Sequence, residues 1–477
     1  MSTVRSSSQD VPVAPARTMG FRDLVLFYVV TGVSLRWIAT AAGHGPSSLL
    51  IWFLGWLFLY VPLALGVIEL SSRYPAEGGF YVWTKRAFGE RAGFLSAWMY
   101  WVSNLPYFPG VLYFAASNML FIHPSLQHLS HKPAYFLTFS VSILVGLTVL
   151  NLLGLNLAKW AHNLGALAMW IPALIVMVLG FVAWLKFGSA TSFTPTAWIP
   201  RVSIQESFFW SIVIFSFIGC ESASLMADEI QDARRNIPRA LLLAGFTIAL
   251  CYMLGTFSVL LAIPSSESSN LEGLAEAISR TASRLHLTGI TGSVAFLIAI
   301  GNIGAAGAYL AAAARLPFVA GIDGYLPRAF GQLHPRFKTP WVSILGQGLF
   351  GILFVLLGQA GTSVSGAYQT LAAIAVAITM VPFLFLFASL VRLQREATPP
   401  GTIRVPGGRP VALLLGGVGF ATAAFATVLS LIPPPEEPEK TLFFCKILGS
   451  TALLVVLGLF LFHLGQRRNR ARQHGLL

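Results

Sequence analysis

The sequence predicts an all-α integral membrane protein with twelve transmembrane helices. Three observations predict it. Hydrophobic residues make up 56% of the 477 and charged residues only 10%, whereas a soluble chain carries about 25% charged residues. The apolar residues are gathered into runs long enough to cross a bilayer. Lys and Arg are also sorted by side. With the N-terminus inside and the spans alternating, 23 of the 31 fall on the inner side and seven on the outer side and its helix ends, and one, Arg36, lies within a span.

The runs place the spans at about residues 21–42, 49–70, 92–120, 134–153, 162–184, 208–227, 240–263, 289–314, 342–357, 367–390, 411–431 and 442–464. Residues 1–20 are polar and read as a disordered cytoplasmic N-terminal tail. Residues 21–392 then form the core, 393–410 a turn-rich cytoplasmic linker, 411–465 two additional helices and 466–477 a basic cytoplasmic tail. The first span lacks a small-residue cleavage pattern and is expected to be retained. The net charge of +13 is a topology signal, with both termini cytoplasmic, and no nucleic-acid partner is expected. Cys220, Cys251 and Cys445 lie in or beside apolar runs and imply neither a disulfide framework nor a metal site. No cofactor is expected.

The sixth span, FFWSIVIFSFIGCESASLMADEI, begins as an ordinary apolar helix at Phe208. Ile218-Gly219 interrupts it, and the carboxylate of Glu221 follows at once. An ionised carboxylate at bilayer depth costs several kcal/mol unless paired or neutralised. A broken helix is tolerated there only where the freed backbone is buried in protein or lines a wet cavity. Freed N–H groups suit a carboxylate and freed carbonyls an ammonium. A structural carboxyl bonded within the protein is the other reading of Glu221.

The first span is interrupted too, with Thr31-Gly32 at its middle and Ser34 and Arg36 just beyond. Interrupted helices at corresponding places in two halves point to a carrier built from inverted repeats, here spans one to five and six to ten. In the third span Pro106 and Pro109 distort the helix, and Ser103, Asn104 and Tyr107 offer polar groups to a cavity or a neighbouring helix. After the second span, Pro75 and Gly78-Gly79 precede a short amphipathic helix on the cytoplasmic face. Residues 271–285 read as a short outer helix lying on the surface. Asn302 in the eighth span needs a partner, either another helix or a solute.

These residues resemble the amino acid–polyamine–organocation permeases. The likeness covers nearly the whole chain. It rests on FIGCESASLMADEI (217–230), RRNIPRAL (234–241), RYPAEGGFYVWTKRAFGE (73–90) and DGYLP (323–327). RVPGGRPV (404–411) and SLIPPPE (430–436) are similar to the bacterial glutamate:GABA antiporter branch. The resemblance implies a five-plus-five inverted repeat with unwound first and sixth helices. It implies exchange or proton-coupled transport of an amino acid or amine across the bacterial inner membrane, by a monomer or homodimer.

By matching, Thr31, Gly32 and Val33 would hold the substrate carboxylate, and Ile218 and Gly219 its amino end. Ser103, Asn104 and Phe108 would line the cavity, with Asn302 a further polar candidate. Phe215 and Tyr309 fall where related exchangers place aromatic gates, and Glu221 on their coupling and pH-sensing carboxylate. Arg36 has no counterpart in that pattern. It can neutralise Glu221, meet an anionic side chain or point into the protein interior. The chain also departs from the family in Thr31-Gly32-Val33-Ser34, which lacks the second glycine of the usual Gly-x-Gly, and at Met169, Ala305, Ile378 and Pro382, where a lysine, a carboxylate and tyrosines are usual. A polyamine or organocation permease is the alternative within the family.

A membrane enzyme would need a nucleophile–base set or metal ligands at membrane depth. The histidines fall mostly in loops and at helix ends, without a His-x-x-x-His pair. A channel would need a repeated filter-like loop and a sensor an output domain, and neither pattern is present.

Overall fold

The computed structural model describes residues 17–76, 78–200, 203–265, 273–287, 289–359, 364–433 and 440–473. Among them all regular structure is helical, apart from one isolated parallel bridge between Met19 and Ile230. The first predicted span is a pair, α1 (Phe21–Gly32) and α2 (Arg36–Gly43), bent by 42°. The second joins α3 (Ser47–Gly55) to α4 (Val61–Arg73) through one π turn. The short α5 (Phe80–Phe88) follows Gly79. The third span is α6 (Glu90–Ser103) and α7 (Tyr107–Met119), parted at Pro106. α8 (Pro133–Leu152) and α9 (Leu155–Phe187) complete the first half.

α10 (Ile204–Ser216) ends early and gives way to a 3-10 segment, Ser222–Glu229. Then come α11 (Ala233–Ala262), α12 (Gly273–Arg284), α13 (Ile290–Ala313) and α14 (Arg315–Ile322). α15 (Trp341–Gln359), α16 (Val364–Leu393), α17 (Gly408–Ser430) and α18 (Lys440–Gln473) follow.

Among the described residues nine helices are long and apolar enough to cross a membrane, or ten with α1 and α2 taken as one span. Twelve were expected. The sixth and ninth fall short of span length, at Glu206–Ser216 and Trp341–Leu356. For the sixth the cause is the break itself. Beyond it the chain tightens into 3-10 geometry, kinked at Met226, and does not resume as an α-helix.

Burial sorts the helices into centre and rim. In Glu90–Ile122 and Ile290–Gly321, 78% of the apolar stretch is buried, against 28% in Gly408–Ser430 and 17% in Phe443–Arg470. The third and eighth spans are therefore the heart of the bundle, and α17 and α18 its margin. On α9, Leu164, Leu167, Ile171, Leu174, Val178 and Phe181 are exposed at steps of three and four. That spacing makes one continuous apolar face, as a lipid-facing helix requires. α12 is more deeply engaged than a helix lying on a surface. Leu274, Ala277, Ile278 and Ala282 are buried, and the helix packs on α9 and α13.

The segments rich in Lys and Arg meet at one end of the bundle. Part of the predicted N-terminal tail, residues 1–16, lies outside the described residues. Residues 18–20 are tied down: the Thr18 and Met19 N–H groups donate to the Glu229 carbonyl at 3.0 and 3.2 Å. The Glu229 carboxylate accepts from Arg315 Nε at 2.7 Å, and the two side chains are 7% and 3% exposed. The predicted linker is strapped to α4. Glu69 accepts from Gln394 Nε2 at 2.6 Å and the Val405 N–H at 2.9 Å, while Arg73 donates to the Glu396 and Ala397 carbonyls. α5 buries Phe80, Tyr81, Trp83 and Thr84 against α6 and α16, and its Lys85 pairs with Asp323 at 2.6 Å. α18 continues through Arg467, Arg468 and Arg470, and Asn469 Nδ2 donates to the Asp323 carbonyl at 3.1 Å. These charges are held by the fold, which composition alone could not show.

Removing one member of a buried ion pair strands the other and costs about 3–5 kcal/mol, whereas an apolar replacement of both is often neutral. Glu229→Leu is therefore expected to lower the thermal unfolding midpoint of the detergent-solubilised protein sharply. Glu229→Leu combined with Arg315→Met should recover most of the loss, as read by a fluorescence melt of the three proteins side by side.

Candidate functional site

The two broken spans meet at their breaks. In the first, α1 ends at Gly32, Val33 is extended (φ −107°, ψ 129°) and α2 begins at Arg36. At Gly32 a Cβ would displace only the terminal methyl of the Ile248 side chain of α11. In the sixth, Gly219 has φ +109°, a conformation L side chains rarely adopt, and a Cβ would strike the Tyr309 hydroxyl and the Thr31 carbonyl. Gly219 is therefore the glycine that the turn requires.

The freed backbone groups are satisfied from within. The Gly219 N–H donates to Glu221 Oε2 at 2.8 Å. The Gly219 carbonyl accepts from Thr31 Oγ1 at 3.2 Å and from the Ser222 hydroxyl. The Thr31 carbonyl accepts from the Tyr309 hydroxyl at 2.7 Å. Tyr252 of α11 serves both breaks: its hydroxyl accepts from the Ser34 N–H at 2.9 Å and lies 3.2 Å from the Gly32 and Ser216 carbonyls. Its ring stacks on Trp52 at 4.2 Å.

Between the breaks lies a cavity of about 40 Å³, room for roughly two or three waters. It is smaller than an amino acid, so a solute of that size needs the walls to part. Thr31, Gly32, Val33, Ser103, Asn104, Phe215, Ile218, Glu221, Tyr309 and Arg36 all line it. Glu221 is 1% exposed, and the Tyr100 hydroxyl donates to its Oε1 at 2.8 Å. Ser103 and Asn104 each donate to the Tyr100 carbonyl at 2.7 Å, which ties the polar groups of α6 to the helix carrying Tyr100.

Arg36 is 4% exposed, with Cζ 4.0 Å from the centroid of the Trp37 ring and 5.7 Å from that of Tyr107. Trp37 in turn meets Phe215 edge to face at 6.4 Å. Both belong to the halves leading away from the basic end. Glu221 and its partner Tyr100 lie past the sixth-span break, and the Tyr309 ring packs on Tyr107 at 4.7 Å.

Three predicted residues are placed differently. Phe108 does not line the cavity but packs with Leu144 and Leu112 on the far side of α7. Tyr107 faces the cavity instead, because one residue is about 100° of helix turn. Asn302 is fully buried within α13, donates to its own helix's Ile298 carbonyl at 2.8 Å and does not line the cavity. Its amide donor is met one turn back, as short polar side chains in helices often are. Gly219 shapes the site through its backbone and is not part of the cavity wall.

Sequence reasoning missed Trp37, Tyr100, Tyr252 and Thr379, all of which line the cavity. The tenth span contributes Thr379, one residue on from Ile378. The only available signal was a tyrosine or threonine inside an apolar run, and Tyr252 and Thr379 fit it. Among the described residues no three His, Cys, Asp or Glu side chains gather as a metal ion would need.

Similar proteins are found over nearly the whole chain. An uncharacterized transporter of Legionella pneumophila is 28% identical over 91% of this chain and 94% of its own length. A probable agmatine/putrescine antiporter of Lactococcus lactis is 25% identical over 88% of this chain and 89% of its own. A glutamate/gamma-aminobutyrate antiporter of the same species is 24% identical over 94% and 90%. The sequence family described as amino acid permease matches residues 21–457, and on that match, over a chain whose broken first and sixth spans enclose a charged cavity, this protein belongs to the amino acid permease family.

Proposed function

We propose that the protein is a secondary transporter that moves an amino acid, or an amine derived from one, across the bacterial inner membrane. Exchange or proton coupling with alternating access is the mechanism. One observation carries the reading. Two helices stop at facing points, and a cavity at their junction is walled by two buried ionisable residues, Glu221 and Arg36. Intramembrane charges at broken helices are costly for an anchor and useful to a carrier.

The proposal includes twelve spans, with the short α10 and α15 counted among them. Spans one to five and six to ten form inverted repeats, with α17 and α18 appended at the rim. The basic end faces the cytoplasm, as the Lys and Arg distribution supports. The assembly is a monomer or homodimer.

In this reading Thr31, Gly32 and Val33 receive the solute carboxylate, while Ile218 and Gly219 meet its amino end. Ser103 and Asn104 supply side-wall polarity, and Phe215 and Tyr309 act as gates. The internal bonds at Gly219 and Thr31 stand in for the solute while the cavity is contracted. Opening exchanges the Tyr309–Thr31 bond for access. Glu221 is alternately enclosed and wetted, which changes its proton affinity with conformation. A permease for polyamines or other organocations is the second reading, favoured by Glu221 as a counter-ion and by the likeness to the agmatine/putrescine antiporter.

Reconstituted into proteoliposomes, the protein should show saturable uptake and counterflow of at least one amino acid or amine. Absence of flux across a broad panel of both classes would overturn the proposal. Glu221→Gln keeps the side chain's size and removes its ionisation. It is expected to flatten the pH dependence of transport more than it weakens solute binding, and an unchanged pH profile would move the coupling role elsewhere. Gly219→Ala forces a Cβ onto Tyr309 and Thr31, so flux should fall more than tenfold while the protein still elutes as a folded species on size exclusion.

A further inference from the structure

At the basic end a groove of about 360 Å³ opens between α5, α16 and α17. Its charged lining residues are Arg392, in the last turn of α16, and Arg395, just past it. Both are exposed, and among the described residues neither side chain makes a hydrogen bond or ion pair. The adjoining carboxylate, Glu396, is engaged elsewhere: it accepts from Arg86 Nε and from the Tyr74 hydroxyl, each at 2.9 Å. In the sequence from 371 to 435 it is the only carboxylate, against Arg392, Arg395, Arg404 and Arg409. Below the arginines the groove is apolar. Phe387 lies about 7.5 Å deeper along α16 than Arg392, and Val391, Phe88 and Phe420 add to the walls. Phe88 and Phe420 leave much of their rings exposed. Glycine makes the room. A Cβ at Gly416 would strike the Val391 side chain, so α17 approaches α16 closely there, whereas a Cβ at Gly417 would meet nothing within 4 Å.

We infer that the groove binds one anionic phospholipid, with its phosphate on Arg392 and Arg395 and an acyl chain laid along Phe88, Phe387, Gly417 and Phe420. Charge complementarity carries the choice of occupant. Two guanidinium groups three residues apart offer forked N–H donors that match phosphate oxygens. An anion free in water would satisfy the arginines and leave the apolar walls uncovered. A zwitterionic lipid would cover the walls but bring its own ammonium to cations already in excess. An anionic lipid meets both demands with one molecule, and basic pockets at cytoplasmic helix ends suit such head groups. The level in the bilayer fits too, since an arginine in the last turn of a membrane helix reaches the head groups. Bound there, the lipid bridges α5 and α16 to α17 at the rim, beside the strap that Arg86 and Tyr74 hold through Glu396. The inference needs only that the basic end meets a membrane surface, and it stands apart from the identity of the solute.

The test uses the full-length protein in dodecyl maltoside, titrated with phosphatidylglycerol or phosphatidylcholine and read by native mass spectrometry. The wild type should retain the anionic lipid about tenfold more than the zwitterionic one. Arg392→Gln combined with Arg395→Gln, which breaks no hydrogen bond among the described residues, should remove that preference. Gly417→Leu fills the groove from its open side and should lower retention of phosphatidylglycerol with both arginines intact. Equal retention of the two lipids by the wild type overturns the inference. So does a preference unchanged in the double variant, or retention unchanged in Gly417→Leu. A dimer that Gly417→Leu disperses, with no lipid preference, gives the groove to a second copy of the chain and overturns it too. Should the variants fail to assemble, a photoactivatable phosphatidylglycerol decides on the wild type. Labelling within residues 387–395 and 416–420 supports the site, and labelling confined to other segments overturns it.

Discussion

The structure depends on one constraint: backbone polar groups freed at membrane depth must find partners inside the protein. Stopping α1 at Gly32 and α10 at Ser216 frees such groups at the same level of the bundle. The solution is reciprocal. Thr31 and Tyr309 link the first break to the sixth and eighth spans, Glu221 caps Gly219 within the sixth, and Tyr252 reaches both breaks from the seventh. Each partner comes from an element that also walls the cavity. The groups that stabilise the breaks are therefore the groups a solute would compete with, which joins fold stability to solute access through a few hydrogen bonds.

Buried charge is distributed by the same economy. At the basic end, Glu229 with Arg315 and Glu69 with Arg73 are enclosed as pairs, each with further backbone bonds. These pairs fasten the N-terminal segment and the strap after α16 to the helix ends, closing that end of the bundle. At the centre, Glu221 and Arg36 face a common cavity: the acid accepts from the Tyr100 hydroxyl and the Gly219 N–H, and the base lies over the Trp37 ring.

Much of this was legible in the sequence because it is local. The nine or ten spans among the described residues lie on runs of apolar residues. The break at Gly219 followed from a glycine and a carboxylate interrupting an apolar run, and Glu221, Arg36 and Thr31 lie within a few residues of the two breaks. The resemblance to known permeases extended this to Phe215 and Tyr309, which line the cavity. Where the reading failed it failed by angle. Phe108 and Tyr107 are neighbours in sequence, but only one faces the cavity, and Asn302, which donates its amide N–H one turn back on its own helix, does not line it.

The sequence by itself determined the helical class, the apolar runs that become the nine or ten spans among the described residues, the two interruptions and the charges beside them, since hydropathy, glycine and proline act over one or two turns. Only the tertiary structure decided that Tyr252 and Tyr100 complete the breaks, that Trp37 and Tyr107 hold Arg36, and that the segment after α16 is strapped to α4. Those pairings join residues far apart in the chain. They depend on which face each helix turns to its neighbours, and no local pattern encodes that choice.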